Sequence, residues 1–140
     1  MTPRPTLVRD LMTKEVLTLD WNEKLLVADD VMRLGRIRHL PIIDGDGKLV
    51  GIVSQRDLFH SGLLKALGYG THAQRNALDL IAIKETMKTE VATTTPDTPL
   101  ADAAKTMLER KIGCLLVMEG PKIAGILTEG DFVKLAAHVA

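Results

Sequence analysis

Gly51-Ile52-Val53-Ser54-Gln55-Arg56-Asp57 and Gly125-Ile126-Leu127-Thr128-Glu129-Gly130-Asp131 carry one pattern: glycine, two apolar residues, a hydroxyl residue, and aspartate three places on. The likeness spreads outward at a spacing of roughly 75 positions, the kind of period that marks an internal duplication. Val8-Arg9-Asp10-Leu11-Met12 answers Ile83-Lys84-Glu85-Thr86-Met87, and Leu25, Ala28 and Met32 answer Leu100, Ala103 and Met107. One residue drops out in the turn Asp44–Lys48. Two copies of one unit imply two half-domains about a pseudo-two-fold axis, with a pair of equivalent clefts. Where the copies differ, chemistry has been added or lost.

Each copy reads as short strand, helix, hairpin, helix. Val16-Leu17-Thr18 is a brief extended stretch, followed by a turn over Asp20-Trp21-Asn22-Glu23. Leu25, Ala28, Val31, Met32 and Gly35 recur at helical spacing, as do Leu100, Ala103, Ala104, Met107 and Leu108. Pro99 suits a first helical turn. Apolar runs at His39–Ile43 and Cys114–Met118 pair with Lys48–Val53 and Lys122–Leu127 across Gly/Asp/Pro turns. Pro41 points to an edge position or an irregular start, because it cannot donate a ladder hydrogen bond. Between the copies, Leu63, Leu64 and Leu67 suggest a helix ended by Gly68-Tyr69-Gly70. Thr71 then caps a second helix with Ala77, Leu78, Leu80 and Ile81 as its apolar positions.

The chain has 140 residues, enough for one real core. It is 46% hydrophobic but 3% aromatic, which suits a small α/β unit filled by aliphatic side chains. Eighteen basic and 18 acidic residues cancel, so no global field draws in nucleic acid or an anionic membrane. The single Cys114 excludes an intramolecular disulfide. No apolar run approaches membrane-spanning length, and the first residues lack an apolar signal core. The expectation is a soluble, cytoplasmic protein.

The repeated Ser/Thr-x-x-Asp has a plain structural reading. Ser54 and Thr128 cap a helix, and Asp57 and Asp131 at its third position meet its positive end. Arg56 does not fit that reading, since a cation in a first turn opposes the helix dipole by about 0.3–1 kcal/mol. Its twin is Gly130, beside Glu129. Arg36, Arg38 and His39 precede the adjacent strand, so the first copy gathers cations near one helix start, a plausible phosphate site. A solvated surface patch is the alternative.

The duplicated unit, with Arg38-His39-Leu40-Pro41-Ile42-Ile43-Asp44 and the two Gly…Ser/Thr-x-x-Asp turns, resembles a pair of CBS (cystathionine-β-synthase) domains. The resemblance implies an α/β (α+β) fold of two β-α-β-β-α repeats packed about a pseudo-two-fold axis. Repeat 1 would span residues 8–60, a helical linker 61–82 and repeat 2 residues 83–137. It further implies a regulatory, non-catalytic module that binds AMP, ADP, ATP or S-adenosylmethionine, usually as a homodimer. Its output would run through a separate effector protein or self-association. Carried over by position, Asp57 would hold the ribose hydroxyls, Ser54 and Arg56 face ribose or phosphate, and Arg38 and His39 approach the phosphates. Thr95, Leu100, Ile112, Gly113 and Cys114 would complete that cleft. The second cleft would take Asp131 and Thr128, with Asp20, Leu25, Ile37 and again Arg38 and His39 opposite.

The copies depart from each other in ways that favour the Asp57 cleft. Glu129, Gly130, Gly113 and Cys114 stand where the first copy has cationic or hydrogen-bonding groups, and carboxylates repel a polyphosphate. The histidines show no zinc-ligand spacing. Cys114 in its apolar strand reads as a core residue, and Trp21 as packed on its own helix. Lys84, Lys88, Lys105, Arg110 and Lys111 read as solvated helix faces. Two other functions remain open, a ligand-free dimerisation scaffold and a small nucleotide-processing enzyme. The enzyme has against it the lack of a Walker loop or paired-carboxylate metal site.

Overall fold

The computed structural model describes residues 4–59 and 71–138, with side chains from residue 75 onward in the second stretch. In chain order the elements are α1 (Val8–Leu11), β1 (Leu19–Asp20), α2 (Leu25–Gly35), β2 (His39–Ile43) and β3 (Leu49–Ser54), then α3, helical over residues 55–59. There follow α4 (Thr71–Leu78), a 3₁₀ turn (Ile83–Glu85), β4 (Thr93–Thr94), α5 (Leu100–Arg110), β5 (Cys114–Glu119), β6 (Lys122–Thr128) and α6 (Glu129–Ala137). The two anticipated β-α-β-β-α patterns are both present. Leu63, Leu64, Leu67 and Gly68–Gly70 lie outside the described residues, and Thr71, expected as the cap of the second helix, is instead the first residue of α4.

The chain forms two compact units, each with its own three-stranded sheet. The first is Leu17–Glu90, with strand order β1-β2-β3. The second joins the residues up to Val16 to those from Val91 onward, with order β4-β5-β6. In both, the short first strand runs parallel to the middle one, which is antiparallel to the third. Both middle strands carry an irregularity at the same place, Ile42/Ile43 and Val117/Met118.

The boundaries of the units differ from those of the repeats. The lead segment of each copy packs in the other copy's unit. Val8 donates to the Thr98 carbonyl at 2.9 Å, Leu100 donates to Thr6 at 2.8 Å, and Val8, Leu11 and Met12 join a core with Leu100, Ala103, Met107, Leu115, Val117 and Leu127. Ile83 and Met87 pack likewise with Leu25, Ala28, Met32, Leu40, Ile42 and Val53. Contiguous stretches of sequence show the repeat but not this exchange.

Two glycines let the lead segments cross the sheets. A Cβ on Gly51 would lie 2.6 Å from Met87 Sδ and 2.8 Å from the Lys88 carbonyl. One on Gly125 would lie 2.8 Å from both Met12 Sδ and the Thr13 carbonyl. Those carbonyls instead accept N–H groups of the third strands, Ile52 to Lys88 and Ile126 to Thr13, each at 2.9 Å. The Met12/Met87 and Gly51/Gly125 pairs of the repeat are therefore two halves of one steric fit.

Several expectations need correction in detail. The first strand pairs at Leu19–Asp20, just after Val16-Leu17-Thr18, because its ladder partners are Ile42 and Ile43. Pro41 sits in a middle strand, fully buried, not at an edge. The ladder to β1 starts one residue later, so its missing N–H forfeits no bond there. Pro99 is the N-cap of α5, one residue before the first turn. Leu78 and Ile81 are buried as anticipated, but Leu80, in the turn after α4, is 80% exposed. Helices α2 and α5 both end on a left-handed non-glycine residue, Arg36 (φ 52°) and Lys111 (φ 54°), whose N–H groups return to Met32 and Met107.

Candidate functional site

In the first unit the strand-to-helix corner gathers five of the anticipated residues. His39 pairs with Ser54 across β2 and β3, and the Arg38 carbonyl accepts the Gln55 N–H at 2.8 Å. Arg38 and His39 are thus fixed beside the start of α3. The capping box is present: the Ser54 N–H donates to Asp57 Oδ2 at 2.9 Å, and the Asp57 N–H donates to Ser54 Oγ at 3.2 Å. Arg56, at the second helical position, is exposed and brings its charge to the same turn.

Sequence reasoning missed the next neighbour. Lys88 Nζ lies 3.8 Å from Asp57 Oδ1, with side-chain exposures of 69% and 16%. Lys88 is on no helix; it forms a two-way bridge to Ile52 of β3. At 3.8 Å the contact is an ion pair rather than a hydrogen bond. Among the described residues no hydrogen bond ends on Asp57 Oδ1.

The equivalent corner of the second unit is built on the same backbone but closed. The Thr128 N–H donates to Asp131 Oδ2 at 2.9 Å, and the Thr128 hydroxyl lies 3.3 Å from the same oxygen. The Thr13 hydroxyl donates to Oδ1 at 3.0 Å. Asp131 is 6% exposed, the one buried charged side chain among the described residues. Thr13 and Lys88 answer each other in the repeat, one place after Met12 and Met87. That register was legible, and it singles out both residues.

The remaining anticipated residues are distributed by unit. Leu25 is wholly buried in the first core, with Ile37 packed against it, and Asp20 Oδ1 accepts the Asn22 N–H at 2.8 Å. In the second unit Leu100 is a core residue and Ile112 packs on that core. The Gly113 carbonyl accepts the Glu129 N–H at 3.1 Å. Thr95 and Thr98 share a hydroxyl hydrogen bond of 2.7 Å. Cys114, the twin of His39, is buried, and burial pushes its thiol up to about 11. Such a thiol is a packing group, not a nucleophile.

Trp21 is partly buried against the first core, with Lys84 Nζ 5.9 Å from its ring centroid, within cation–π range. An open groove in the second unit, lined by Arg9, Asp10, Thr13, Lys14, Glu15 and Glu119 among others, holds both charge signs and none of the anticipated residues. Among the described residues no cluster of three or more His, Cys, Asp or Glu is placed to hold a metal ion. No described helix is long and apolar enough to cross a membrane.

Comparison with known proteins agrees with this duplicated architecture. The chain is 30% identical over 134 residues to a CBS domain-containing protein of Dictyostelium discoideum, covering 95% of this chain and 92% of that one. Several longer curated relatives are matched over only about a quarter of their length. A Vibrio cholerae structure provisionally assigned to acetoin utilization (AcuB) shares 35% identity and a TM-score of 0.79, covering 95% of this chain and 91% of that one. The CBS domain pair of protein MJ0100 was solved in complex with 5′-methylthioadenosine and S-adenosyl-L-methionine. It shares 30% identity and a TM-score of 0.75, covering 95% of this chain and 98% of that one. The CBS domain family matches residues 8–63 and 83–138, and with both copies of its motif in place the chain belongs to that family.

Proposed function

We propose that this chain is a regulatory module that binds an adenosine nucleotide at the Asp57 corner. The observation that carries the reading is the state of the Asp57 carboxylate. One oxygen accepts the Ser54 N–H, while among the described residues no hydrogen bond ends on the other, which has Lys88 Nζ 3.8 Å away. An acceptor fixed in place with spare capacity suits the vicinal hydroxyls of a ribose. Cations beside it suit phosphate. The adenosine compounds bound by the MJ0100 pair support the ligand class.

The satisfied Asp131 corner, with Thr128, would be the weaker site or a structural one. Binding would act on a homodimer geometry or a separate effector, to the extent that the ligand prefers one state. Calorimetric titration with AMP, ADP, ATP and S-adenosylmethionine tests the reading. A binder held at 100 times its dissociation constant should also add about 2.7 kcal/mol to unfolding stability. No heat and no thermal shift with any of the four would favour the scaffold alternative.

A further inference from the structure

Lys88 and Thr13 share one backbone setting. Each exchanges two 2.9 Å hydrogen bonds with the third strand of its unit, Lys88 with Ile52 and Thr13 with Ile126. Each places its carbonyl over a glycine, Gly51 or Gly125. The side chains then do different things to equivalent aspartates. Thr13 spends its hydroxyl on Asp131 and removes that oxygen from further use. Lys88 is too distant to hydrogen-bond Asp57 but leaves a positive charge 3.8 Å from it on a largely exposed arm.

A carboxylate at the ribose position repels any phosphate within about one Debye length, roughly 8 Å at physiological salt. An ammonium held beside that carboxylate offsets the repulsion while leaving the oxygen free to accept hydroxyls. From this juxtaposition we infer that Lys88 sets the charge class of the ligand. It selects adenosine compounds with an anionic 5′ group over those whose 5′ group is uncharged or a sulfonium cation. The inference rests on the reading that an adenosine ligand engages Asp57. The role is a specificity role, distinct from support of the fold, because a 3.8 Å pair with a largely exposed lysine holds little together.

AMP and 5′-methylthioadenosine share the adenosine and differ in 5′ charge, so their dissociation constants form the test. Both are measured by calorimetry on the wild-type chain, on Lys88→Thr, which installs the twin's residue, and on Lys88→Arg, which keeps the charge. Lys88→Thr should weaken AMP roughly five- to tenfold relative to 5′-methylthioadenosine. Lys88→Arg should keep the ratio within about twofold. An unchanged ratio in Lys88→Thr, whether both compounds weaken together or neither does, would overturn the inference. Binding of neither compound to the wild-type chain would remove the functional reading and this inference with it.

Discussion

Asp57 and Asp131 close the same motif on the same strand-to-helix corner, and their surroundings part at the carboxylate's second oxygen. Asp131 is buried and accepts from Thr13 and Thr128, so its hydrogen-bonding capacity is committed inside the protein. Among the described residues, no hydrogen bond ends on Asp57 Oδ1, which lies beside a cation. A duplication keeps a backbone solution and can free one copy's side chains for binding while the other's hold the fold. The capping geometry belongs to both corners, and it neither marks nor excludes a ligand site.

The largest effects should fall on what the corners share. Gly51→Ala and Gly125→Ala each push a Cβ against a backbone carbonyl and should each cost about 2–4 kcal/mol in urea unfolding. Tolerance of one and not the other would break the equivalence of the two crossings. Next, Asp131→Ala removes a buried carboxylate from a part-buried N–H and two hydroxyls and should cost about 2–3 kcal/mol. Asp57→Ala loses a part-buried capping carboxylate and should cost about 1 kcal/mol. A larger loss at Asp57 would reverse the assignment of structural and binding corners.

The residues facing the aspartates sharpen the contrast. Thr13→Val should cost about 1 kcal/mol, whereas Lys88→Met should stay within about 0.5 kcal/mol. A pH-dependent effect concerns Cys114. Its folded-state pKa is raised to about 11 from 9.0, so the folded state favours the thiol. That stabilisation is complete below pH 9 and is lost as pH rises through 11. The urea midpoint should therefore fall more between pH 9 and 11 in the wild type than in Cys114→Ala, and alkylation at pH 8 should be slow.

The repeat, both hairpins and the capping boxes were legible because they are local: glycine, hydroxyl and carboxylate at fixed spacing impose them. The exchange of lead segments was not, since Val8 and Ile83 carry the same apolar signal whichever core receives them. Lys88 was misread for a related reason. Its spacing from Lys84 suggests a helix face, and its partner lies 31 positions away in the chain. The information was present in the repeat register, where Lys88 stands opposite Thr13, once the carboxylates are known to be what those side chains meet.

The most direct test of the asymmetry is calorimetric titration of AMP into the wild-type chain, Asp57→Ala and Asp131→Ala, at a temperature where all three are folded. The expected result is at least a roughly tenfold loss of affinity in Asp57→Ala and a change of no more than about threefold in Asp131→Ala. Comparable losses in both variants, or a loss confined to Asp131→Ala, would contradict it.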